Sequence, residues 1–350
     1  MVKYISIPMS KHKKSIKFID LFAGIGGIRL GFERAGFECV YTNEYDKSAA
    51  ATYAANFEGK IDTRDIRDVN EQEIPKFDVL CAGFPCQPFS LAGISARYGL
   101  KRAHGFKDEK QGNLFFEIIR IVEYHKPSVV FLENVANLEK HEKGQTLATI
   151  KKSLEDMGYL FEYKVIDAST LLPQRRKRIY MVANLENKFQ FKDIEPKVSS
   201  VKEIFEKNPD SRFTISDRLW ESHKARTIRN QEKGHGFRHY MVDPNGIANT
   251  LTSRYGKDGR ENLVVQKGKN PRMLTPRECA RLMGFPDSFE LPLAKTPAYR
   301  QFGNSVCVPV IESLANQVYE QLSQEEIAKA PAKEESGLTS LVTQAVPIAG

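Results

Sequence analysis

The stretch FIDLFAGIGGIRLGF, residues 18–32, decides the fold. Lys17–Phe22 is apolar and predicts a buried strand, and Ala23–Gly27 predicts a tight turn, because glycine adopts backbone conformations that other residues avoid. Ile28–Ala35 has apolar residues at helical spacing and therefore predicts a helix. A strand, a glycine-rich turn and a helix form the opening unit of open α/β sheets that hold nucleotide-like ligands at the helix amino terminus.

Two carboxylates near this turn indicate the kind of ligand. Glu44 follows a second predicted strand, CVYTN, and lies 20 residues beyond Gly24, where an acid can accept hydrogen bonds from ribose hydroxyls. Asp20 directly precedes the turn, where a carboxylate repels a pyrophosphate but suits a ligand that carries an ammonium group. The turn also reads GxGG rather than GxGxxG. These features favour S-adenosylmethionine over NAD, and a plain loop is the alternative.

The stretch GFPCQPFS, residues 83–90, contains the candidate nucleophile, Cys86. It follows Phe77–Ala82, which predicts a buried parallel strand, so Cys86 is expected just past the carboxyl end of a strand. A lone cysteine is often only a small buried hydrophobic residue, and Cys81, inside the strand, is assigned to packing. The Pro, Gln and Ser neighbours of Cys86 do not build a core, so a reactive thiol and a structural one both stay open.

An acid and a basic segment are expected near this thiol. Ser128–Leu132 predicts the next buried strand and delivers Glu133 to its tip, in the same crevice as Cys86 if the sheet is parallel. A solvated or helix-capping acid is the alternative for Glu133. In QRRKR, residues 174–178, alternate side chains share one side of a strand, although a charge run is usually a solvated face.

Two further segments of the chain suggest contacts with ligands. Asp65 and Ile66 follow the expected end of a third strand, where the acid could accept from an adenine amino group while Ile66 packs on the ring. A solvated loop acid explains Asp65 equally well. The polar loop Leu91–Gln111 is long and basic, which suits a lid that closes over an anionic substrate.

Composition bounds the possible partners and compartments. The chain has 350 residues, a formal charge of +8 and a pI near 9.0, which favours an anionic partner such as nucleic acid. No run of about 18 apolar residues predicts a membrane span, and no secretory signal is evident, so a cytoplasmic location is expected. The five cysteines form no CxxC pair, so reduced thiols and no metal site are predicted.

The character of the chain changes along its length. We expect a flexible start over 1–16, a catalytic domain over 17–185 and a smaller irregular domain over 186–272, where helical periodicity fades. Segment 273–322 is expected to return to the first domain, its last helix being Val310–Leu322. The tail from Ser323 is rich in Ala, Glu, Pro and Ser, and this composition predicts disorder.

The order of these motifs resembles the bacterial DNA cytosine-5 methyltransferases of restriction-modification systems. The shared elements are FIDLFAGIGGIRLGF, NEYD, DIRDV, GFPCQPFS, GNLFFEIIRIV, ENV, QRRKRIY, RMLTPRECARLMGFPD and QFGNSVCVPV, which span Lys17 to Val310. The resemblance implies an α/β, Rossmann-like, S-adenosylmethionine-dependent methyltransferase sheet with a smaller target-recognition domain. It also implies a monomeric enzyme that acts on double-stranded DNA, is associated with the nucleoid, and is paired with a restriction endonuclease.

The same resemblance assigns roles to individual residues. The implied catalytic residues are Cys86, which adds to C6 of cytosine, Glu133, which contacts N3 and the exocyclic amine, and Arg176 and Arg178. The implied cofactor residues are Phe22, Ala23, Gly24, Gly26, Gly27, Glu44, Tyr45, Asp65, Ile66, Pro85, Leu114, Asn304, Ser305 and Val306. The implied DNA-binding residues are Gln87, Ser90, Arg97, Gln174, Arg238, Tyr240, Thr250, Arg254 and Tyr255. The target base must be flipped out of the duplex to reach this site.

Three rival functions are weighed against this one. An RNA cytosine methyltransferase shares the architecture, but a sizeable recognition segment and an intact GNSV favour duplex DNA. A non-catalytic DNA-binding relative has no need of both Cys86 and Glu133. An NAD dehydrogenase is disfavoured, because the glycine pattern and the Cys-Glu pair do not serve hydride transfer.

Overall fold

The computed structural model of the chain describes residues 15–85, 114–197, 199–235, 238–292 and 294–329. The predicted nucleophile Cys86, the predicted DNA-contacting residues Gln87, Ser90 and Arg97, and the expected lid lie outside the described residues. Residues 1–14 of the predicted flexible start over 1–16 and the residues after 329 also lie outside them.

The centre of the molecule is a six-stranded sheet in the order β2-β1-β3-β4-β6-β5. Its strands are β1 (Lys17–Leu21), β2 (Glu38–Asn43), β3 (Val79–Gly83), β4 (Val129–Val135), β5 (Leu160–Asp167) and β6 (Lys177–Asn184). The first four run parallel, and β6 pairs antiparallel with both β4 and β5. The predicted Rossmann-like sheet is confirmed, and the parallel pairing sets Gly83 beside Glu133.

Helices cover both faces of this sheet and therefore bury its central strands on both sides. The helices are α1 (Gly27–Arg34), α2 (Lys47–Asn56), α3 (Leu114–His125), α4 (Gln145–Glu155), α5 (Asp217–Glu232), α6 (Tyr255–Asp258), α7 (Pro276–Leu282), α8 (Lys295–Asn304) and α9 (Val308–Lys329). Apolar residues of α3 and α4 pack on one face, and those of α1 and α9 pack on the other. The last helix therefore returns to the first sheet, as the sequence predicts.

The segment 186–272 is mostly irregular in the structure. Short 3-10 turns over Val201–Ile204 and Ser211–Phe213, helices α5 and α6, and the hairpin of β7 (Leu263–Gln266) with β8 (Lys269–Met273) are its regular elements. Phe213, Tyr255 and Leu263 belong to the same hydrophobic cluster as Phe18 of β1. The predicted target-recognition segment therefore shares a continuous core with the sheet.

Two predictions about local structure are wrong. The third strand expected before Asp65 is absent: the chain there makes only an isolated bridge between Asn43 and Asp62 and then the 3-10 turn Ile66–Asp68. Of the tail expected to be disordered over 323–350, residues 323–329 instead continue α9, and the rest lies outside the described residues. Glu325 explains the second difference, because its side chain is buried and accepts from Asn184 and Asn187 at 3.2 and 3.0 Å. This tertiary contact outweighs local composition.

Among the residues described, no helix combines the length and the apolar character that crossing a bilayer requires.

Candidate active site

A cavity of about 440 Å³ opens at the carboxyl ends of the parallel strands. This is where open α/β sheets bind ligands, and the volume lies in the range of small-molecule sites. Five segments supply most of the wall: the turn 22–28, residues 44–49, residues 83–85 before Cys86, residues 133–135 after β4, and residues 300–306. Motifs from early and late parts of the chain therefore form the wall of one cavity.

The glycine-rich turn forms the floor of this cavity. Phe22, Gly24 and Gly26 have φ values of 55°, 58° and 84°, the left-handed region. That conformation is uncommon for phenylalanine, and such strain is found where a ligand is held. Gly26 also lies against the Phe57 ring, which a Cβ atom would meet at 2.2 Å, so only glycine fits there. The turn thus exposes backbone at the start of α1.

Glu44 connects this turn to the next segment of the wall. Its carboxylate accepts from the Gly24 N–H at 2.8 Å and from the Asp46 N–H at 2.7 Å. Burial raises the pKa of Glu44, and the Asp46 and Gly24 N–H groups act in the opposite direction. Each carboxylate oxygen has two lone pairs, so both retain capacity to accept from the hydroxyls of a ribose. Glu44 lines the cavity, and its predicted contact with a cofactor stays a prediction.

Asn304, Ser305 and Val306 also line the cavity, and Ser305 and Val306 pack close to the turn. Gly27 permits this close approach, since a Cβ atom there would come within 2.8 Å of Val306 and 2.9 Å of Ser305. Gly303 is constrained as well, because a Cβ atom would meet the Thr252 backbone at 2.3 Å. The GNSV motif therefore packs against both the glycine turn and the recognition segment.

Glu133 and Arg178 form an ion pair in the wall of the same cavity. Arg178 Nε lies 3.1 Å from Glu133 Oε1, and the two side chains are 16% and 11% exposed. Burial raises the pKa of Glu133, while Arg178 and Arg176 act to lower it. A carboxyl group whose protonated form is favoured near a polar cleft is suited to donate a proton. Pro85, which precedes Cys86 in the chain, lines the same cavity.

Arg176 has a structural position that the sequence prediction missed. Its guanidinium is buried and donates to the carbonyls of Leu251, Gly303 and Ser305 at 2.8, 2.9 and 2.6 Å. These carbonyls accept from Nη1 and Nη2, whereas Nε is buried without a hydrogen-bond partner, and the predicted catalytic role of Arg176 stays a prediction. Burial lowers its pKa to about 10, so it stays charged at neutral pH. Arg176 therefore joins β6 to the recognition segment and to the GNSV motif.

Five predicted cofactor residues do not line the cavity in this structure. Tyr45 is 68% exposed, and Asp65 caps a 3-10 turn and pairs with Arg67. Ile66 is buried in the hydrophobic cluster that Leu114 also packs against, and Gly26 lies beneath the turn against Phe57. Their predicted contacts with a cofactor stay predictions.

Two of the predicted DNA-binding residues are buried, so those predictions are wrong. The Gln174 amide donates to the Leu282 carbonyl and accepts from the Leu251 N–H. The Tyr255 hydroxyl donates to the Asn262 carbonyl and accepts from the Leu274 N–H. Neither side chain can reach a DNA groove from inside the core, and both instead hold the recognition segment in place.

The other predicted DNA-binding residues within the described ranges are accessible. Arg238 and Arg254 are exposed, and Tyr240 is half-buried. Thr250 is also half-buried, and its hydroxyl donates to the Arg175 carbonyl. Their predicted contacts with DNA stay predictions.

Asp20 occupies a different place from the one its sequence position suggests. The carboxyl is fully buried, neither oxygen has a hydrogen-bond partner, and the residue does not line the cavity. The interpretation of Asp20 as a direct partner for a ligand ammonium group is therefore wrong. Burial raises its pKa to about 8, and the backbone and guanidinium of Arg29 act to lower it.

Asp20→Asn is expected to remove a pH dependence of stability. Between about pH 4 and pH 8 the unfolded carboxyl is ionised while the native one is protonated, so the native state binds more protons. The free energy of unfolding of the wild type should therefore fall by several kcal/mol as pH rises through this window. Asp20→Asn should flatten that decline, as measured by urea unfolding at pH 5, 7 and 9.

The matched control is Asp193→Asn, since Asp193 is fully exposed. It should follow the wild-type curve. Equal slopes for Asp20→Asn and the wild type would contradict the prediction.

Several cavity residues were missed by sequence reasoning. Asn134 donates to the Phe84 carbonyl at 2.9 Å and so ties the end of β4 to the segment before Cys86. Asp46 caps α2 through the N–H groups of Ser48 and Ala49. An acid before a helical run is a capping signal that could have found Asp46. Nothing in the local sequence points to Arg300, because its role depends on a contact with Asp46 from the other end of the chain.

The four cysteines in the described part of the chain are poor nucleophiles. Burial raises the pKa of Cys39 and of Cys307 to about 11, and raises those of Cys81 and Cys279 well above the ordinary value. The thiolate is the reactive form of cysteine. These four side chains are therefore thiols at neutral pH.

Sequence comparisons identify relatives along most of the chain. The model of the family described as C-5 cytosine-specific DNA methylase matches residues 16–320. The chain is 46% identical to the Type II methyltransferase M.NlaX of Neisseria lactamica, covering 88% of this chain and 97% of that protein. It is 38% identical to the DNA-cytosine methyltransferase of Escherichia coli K12, covering 89% of this chain and 79% of that protein.

Solved structures give the same fold. A Spodoptera frugiperda DNMT2 variant superimposes with a TM-score of 0.70 at 21% identity, over 87% of this chain and all of that one. The Dnmt2 methyltransferase of S. pombe superimposes with a TM-score of 0.69 at 21% identity, over 88% of this chain and 99% of that one. These likenesses show the fold alone. Because the family model covers the sheet, the cavity and the returning helix together, the chain belongs to the C-5 cytosine-specific DNA methylase family and is a DNA cytosine-5 methyltransferase.

Proposed function

We propose that the protein transfers a methyl group from S-adenosylmethionine to C5 of one cytosine in a specific duplex DNA sequence, as the modification enzyme of a Type II restriction-modification system. The observation that carries the proposal is the Glu133–Arg178 pair, which lies in one cavity with the glycine turn, the GNSV motif and Pro85. Type II methyltransferases among the relatives support the biological context. We further propose that Cys86 is the nucleophile and that the target base is flipped into the cavity.

The residues present fit the cofactor. The turn 22–27 exposes backbone and carries no side chain at Gly24, Gly26 and Gly27, Glu44 offers acceptors for ribose hydroxyls, and Asn304 and Ser305 offer polar groups across the cavity. S-adenosylmethionine, when bound, supplies a methyl group as an electrophile. The protein groups then have to orient the cofactor toward the Glu133 end of the cavity and exclude water from it.

The reactivity of the base must come from this chain's own residues. C5 of cytosine becomes nucleophilic only when a thiolate adds to C6 and turns the ring into an enamine. In our proposal the proton of Cys86 passes to solvent and the thiolate forms the S–C6 bond, while Glu133 donates its proton to N3, so the ring carries no net negative charge. The raised pKa of Glu133 supports this, because a protonated carboxyl is the form that donates.

Arg178 has two tasks in this mechanism. In our proposal it donates to O2 of the cytosine, and the position of its guanidinium beside the carboxyl assigned to N3 supports this role. Its positive charge also stabilises Glu133 when the carboxyl is ionised after proton transfer. After methylation the C5 proton leaves to a base, the S–C6 bond breaks, and N3 returns its proton to Glu133.

The high thiol pKa values of the other described cysteines support the choice of Cys86. Their burial disfavours the thiolate, whereas Cys86 is peptide-bonded to a residue of the cavity wall. An unperturbed thiol has a pKa near 8.5, so a cationic neighbour that favours the thiolate would speed the reaction.

Base flipping supplies the access that this mechanism needs. A cytosine stacked in a duplex cannot enter a cavity of the protein, and extrusion costs a few kcal/mol. The exposed Arg238 and Arg254 are proposed to contribute contacts that offset this cost.

The proposal is tested with purified protein and tritium-labelled S-adenosylmethionine. We expect label in duplex DNA and none in total RNA, and bisulfite sequencing of DNA from expressing cells should show one methylated sequence. Label in RNA alone would favour an RNA methyltransferase, and no label in either would contradict the proposal. Host DNA that resists one restriction endonuclease would identify the partner activity.

A further inference from the structure

An ion pair at the rim of the cavity joins two distant parts of the chain. Arg300 Nη2 lies 2.8 Å from Asp46 Oδ2, and both residues line the cavity. Arg300 belongs to α8, near the carboxyl end of the family domain, and Asp46 precedes α2, near its start. The two side chains are 49% and 42% exposed, so water and salt reach the pair.

Asp46 links Arg300 to Glu44 through hydrogen bonds. Oδ1 of Asp46 accepts from the N–H groups of Ser48 and Ala49 and so caps α2, which leaves Oδ2 for Arg300. The backbone N–H of Asp46 donates to Glu44 Oε1 at 2.7 Å. Movement of Asp46 would therefore move the carboxylate that is proposed to hold the ribose.

Gln301 reinforces the same junction from the adjacent position. Its amide donates to the Ser48 carbonyl and hydroxyl and accepts from the Thr52 hydroxyl at 3.0 Å. Three residues further along α8, Asn304 begins the GNSV part of the cavity wall. Residues 300 and 301 thus hold the start of α2 at a set separation from the GNSV wall.

We propose that Arg300 is a positioning residue for the methyl donor: through Asp46 it holds the Glu44 wall against the Asn304–Val306 wall and thereby raises affinity for S-adenosylmethionine. This inference rests on the proposed function. Arg300 is assigned no part in the chemistry, because its side chain pairs with Asp46 and not with Glu133, which pairs with Arg178. Loss of the Arg300 side chain should therefore raise the Kd for the cofactor but change kcat, measured at saturating cofactor, only slightly.

The test measures binding of S-adenosylmethionine to the full chain by calorimetry. Arg300→Met should raise the Kd about 2- to 5-fold at low salt, the range expected for an exposed ion pair. The KM for the cofactor should rise by the same factor with little change in kcat. The difference from wild type should shrink at 1 M salt, where the Debye length falls to about 3 Å.

Asp46→Asn distinguishes action through Asp46 from direct contact with the cofactor. Asparagine keeps the helix cap and removes the charge. If Arg300 acts through Asp46, then Asp46→Asn raises the Kd like Arg300→Met, and the double variant is no weaker than either single one. If Arg300 instead contacts the cofactor carboxylate directly, Arg300→Met still weakens binding in the Asp46→Asn background, and the proposal is overturned.

Arg34→Met is the matched control. Arg34 pairs with Glu312 at 3.2 Å, with 30% and 37% exposure, and this pair also joins an early helix to a late one but lies away from the cavity. The Kd of the Arg34→Met variant for S-adenosylmethionine should equal that of the wild type. An equal effect of Arg34→Met and Arg300→Met would overturn the inference, whereas a wild-type chain that binds no S-adenosylmethionine would overturn the proposed function itself.

Discussion

Cys86→Ala is expected to abolish methyl transfer to DNA while binding of S-adenosylmethionine stays near that of the wild type. The reason is chemical: without the S–C6 bond, C5 of cytosine has no enamine character and does not attack the methyl group. The cofactor contacts proposed for the glycine turn, Glu44 and the GNSV motif do not involve the thiol. Activity is measured by label incorporation into duplex DNA, and binding is measured by calorimetry.

Cys39→Ala is the control for this experiment. Cys39 is half-buried in β2, away from the cavity, and burial raises its pKa to about 11. The Cys39→Ala variant should retain methyl transfer to DNA. Methyl transfer by Cys86→Ala at more than a small fraction of the wild-type rate would contradict the proposed mechanism.

A second measurement traps the adduct. A target duplex with 5-fluorocytosine should give a covalent complex with the wild type. A base can remove hydrogen from C5 as a proton but cannot remove fluorine in this way, so the S–C6 bond does not break after methylation. The complex should survive a denaturing gel, and Cys86→Ala should give none. A trapped complex with Cys86→Ala would mean that a different residue is the nucleophile.

Glu133→Gln is expected to lower kcat by about 10²- to 10⁴-fold, the usual contribution of a general acid. Glutamine has a similar shape and can still hydrogen-bond, but it cannot give a proton to N3 while Cys86 adds to C6. The substitution also leaves Arg178 without its carboxylate partner at 3.1 Å. Single-turnover kinetics with preformed DNA complex would isolate the chemical step from DNA binding.

Two further observations distinguish a catalytic role of Glu133 from a structural one. Burial raises the pKa of Glu133, so the proton-donating form persists to higher pH than for an ordinary glutamate. The wild-type rate should fall as pH rises through that raised pKa, and Glu133→Gln should lose this limb of the profile. The exposed Glu123 of α3 is the control, and Glu123→Gln should keep the wild-type profile.

An unchanged kcat for Glu133→Gln would remove Glu133 from the catalytic set. Thermal melting should accompany each variant, so that a fall in rate is not confused with unfolding.

Much of the fold was predictable because its signals are local. The apolar run before Gly24 and the helical spacing after it predict β1 and α1, and each lies within two residues of its predicted bounds. Residues at the carboxyl ends of parallel strands meet at one edge, so the placement of Glu133 beside Gly83 followed from strand order. The missing strand before Asp65 and the helical Ser323–Lys329 were not predictable, because pairing and tertiary contacts decided them.

The sequence by itself determined the order of the motifs, the parallel strands and the chemical kinds of residue at the site, because strand and turn propensities act over a few neighbouring residues. Only the tertiary structure decided which polar residues face the cavity. Gln174, Arg176 and Tyr255 look like DNA or substrate ligands in the sequence, yet long-range contacts bury them. Arg300 looks like an ordinary surface residue, yet it meets Asp46 across the cavity rim. Such contacts join residues far apart in the chain, and no local pattern encodes them.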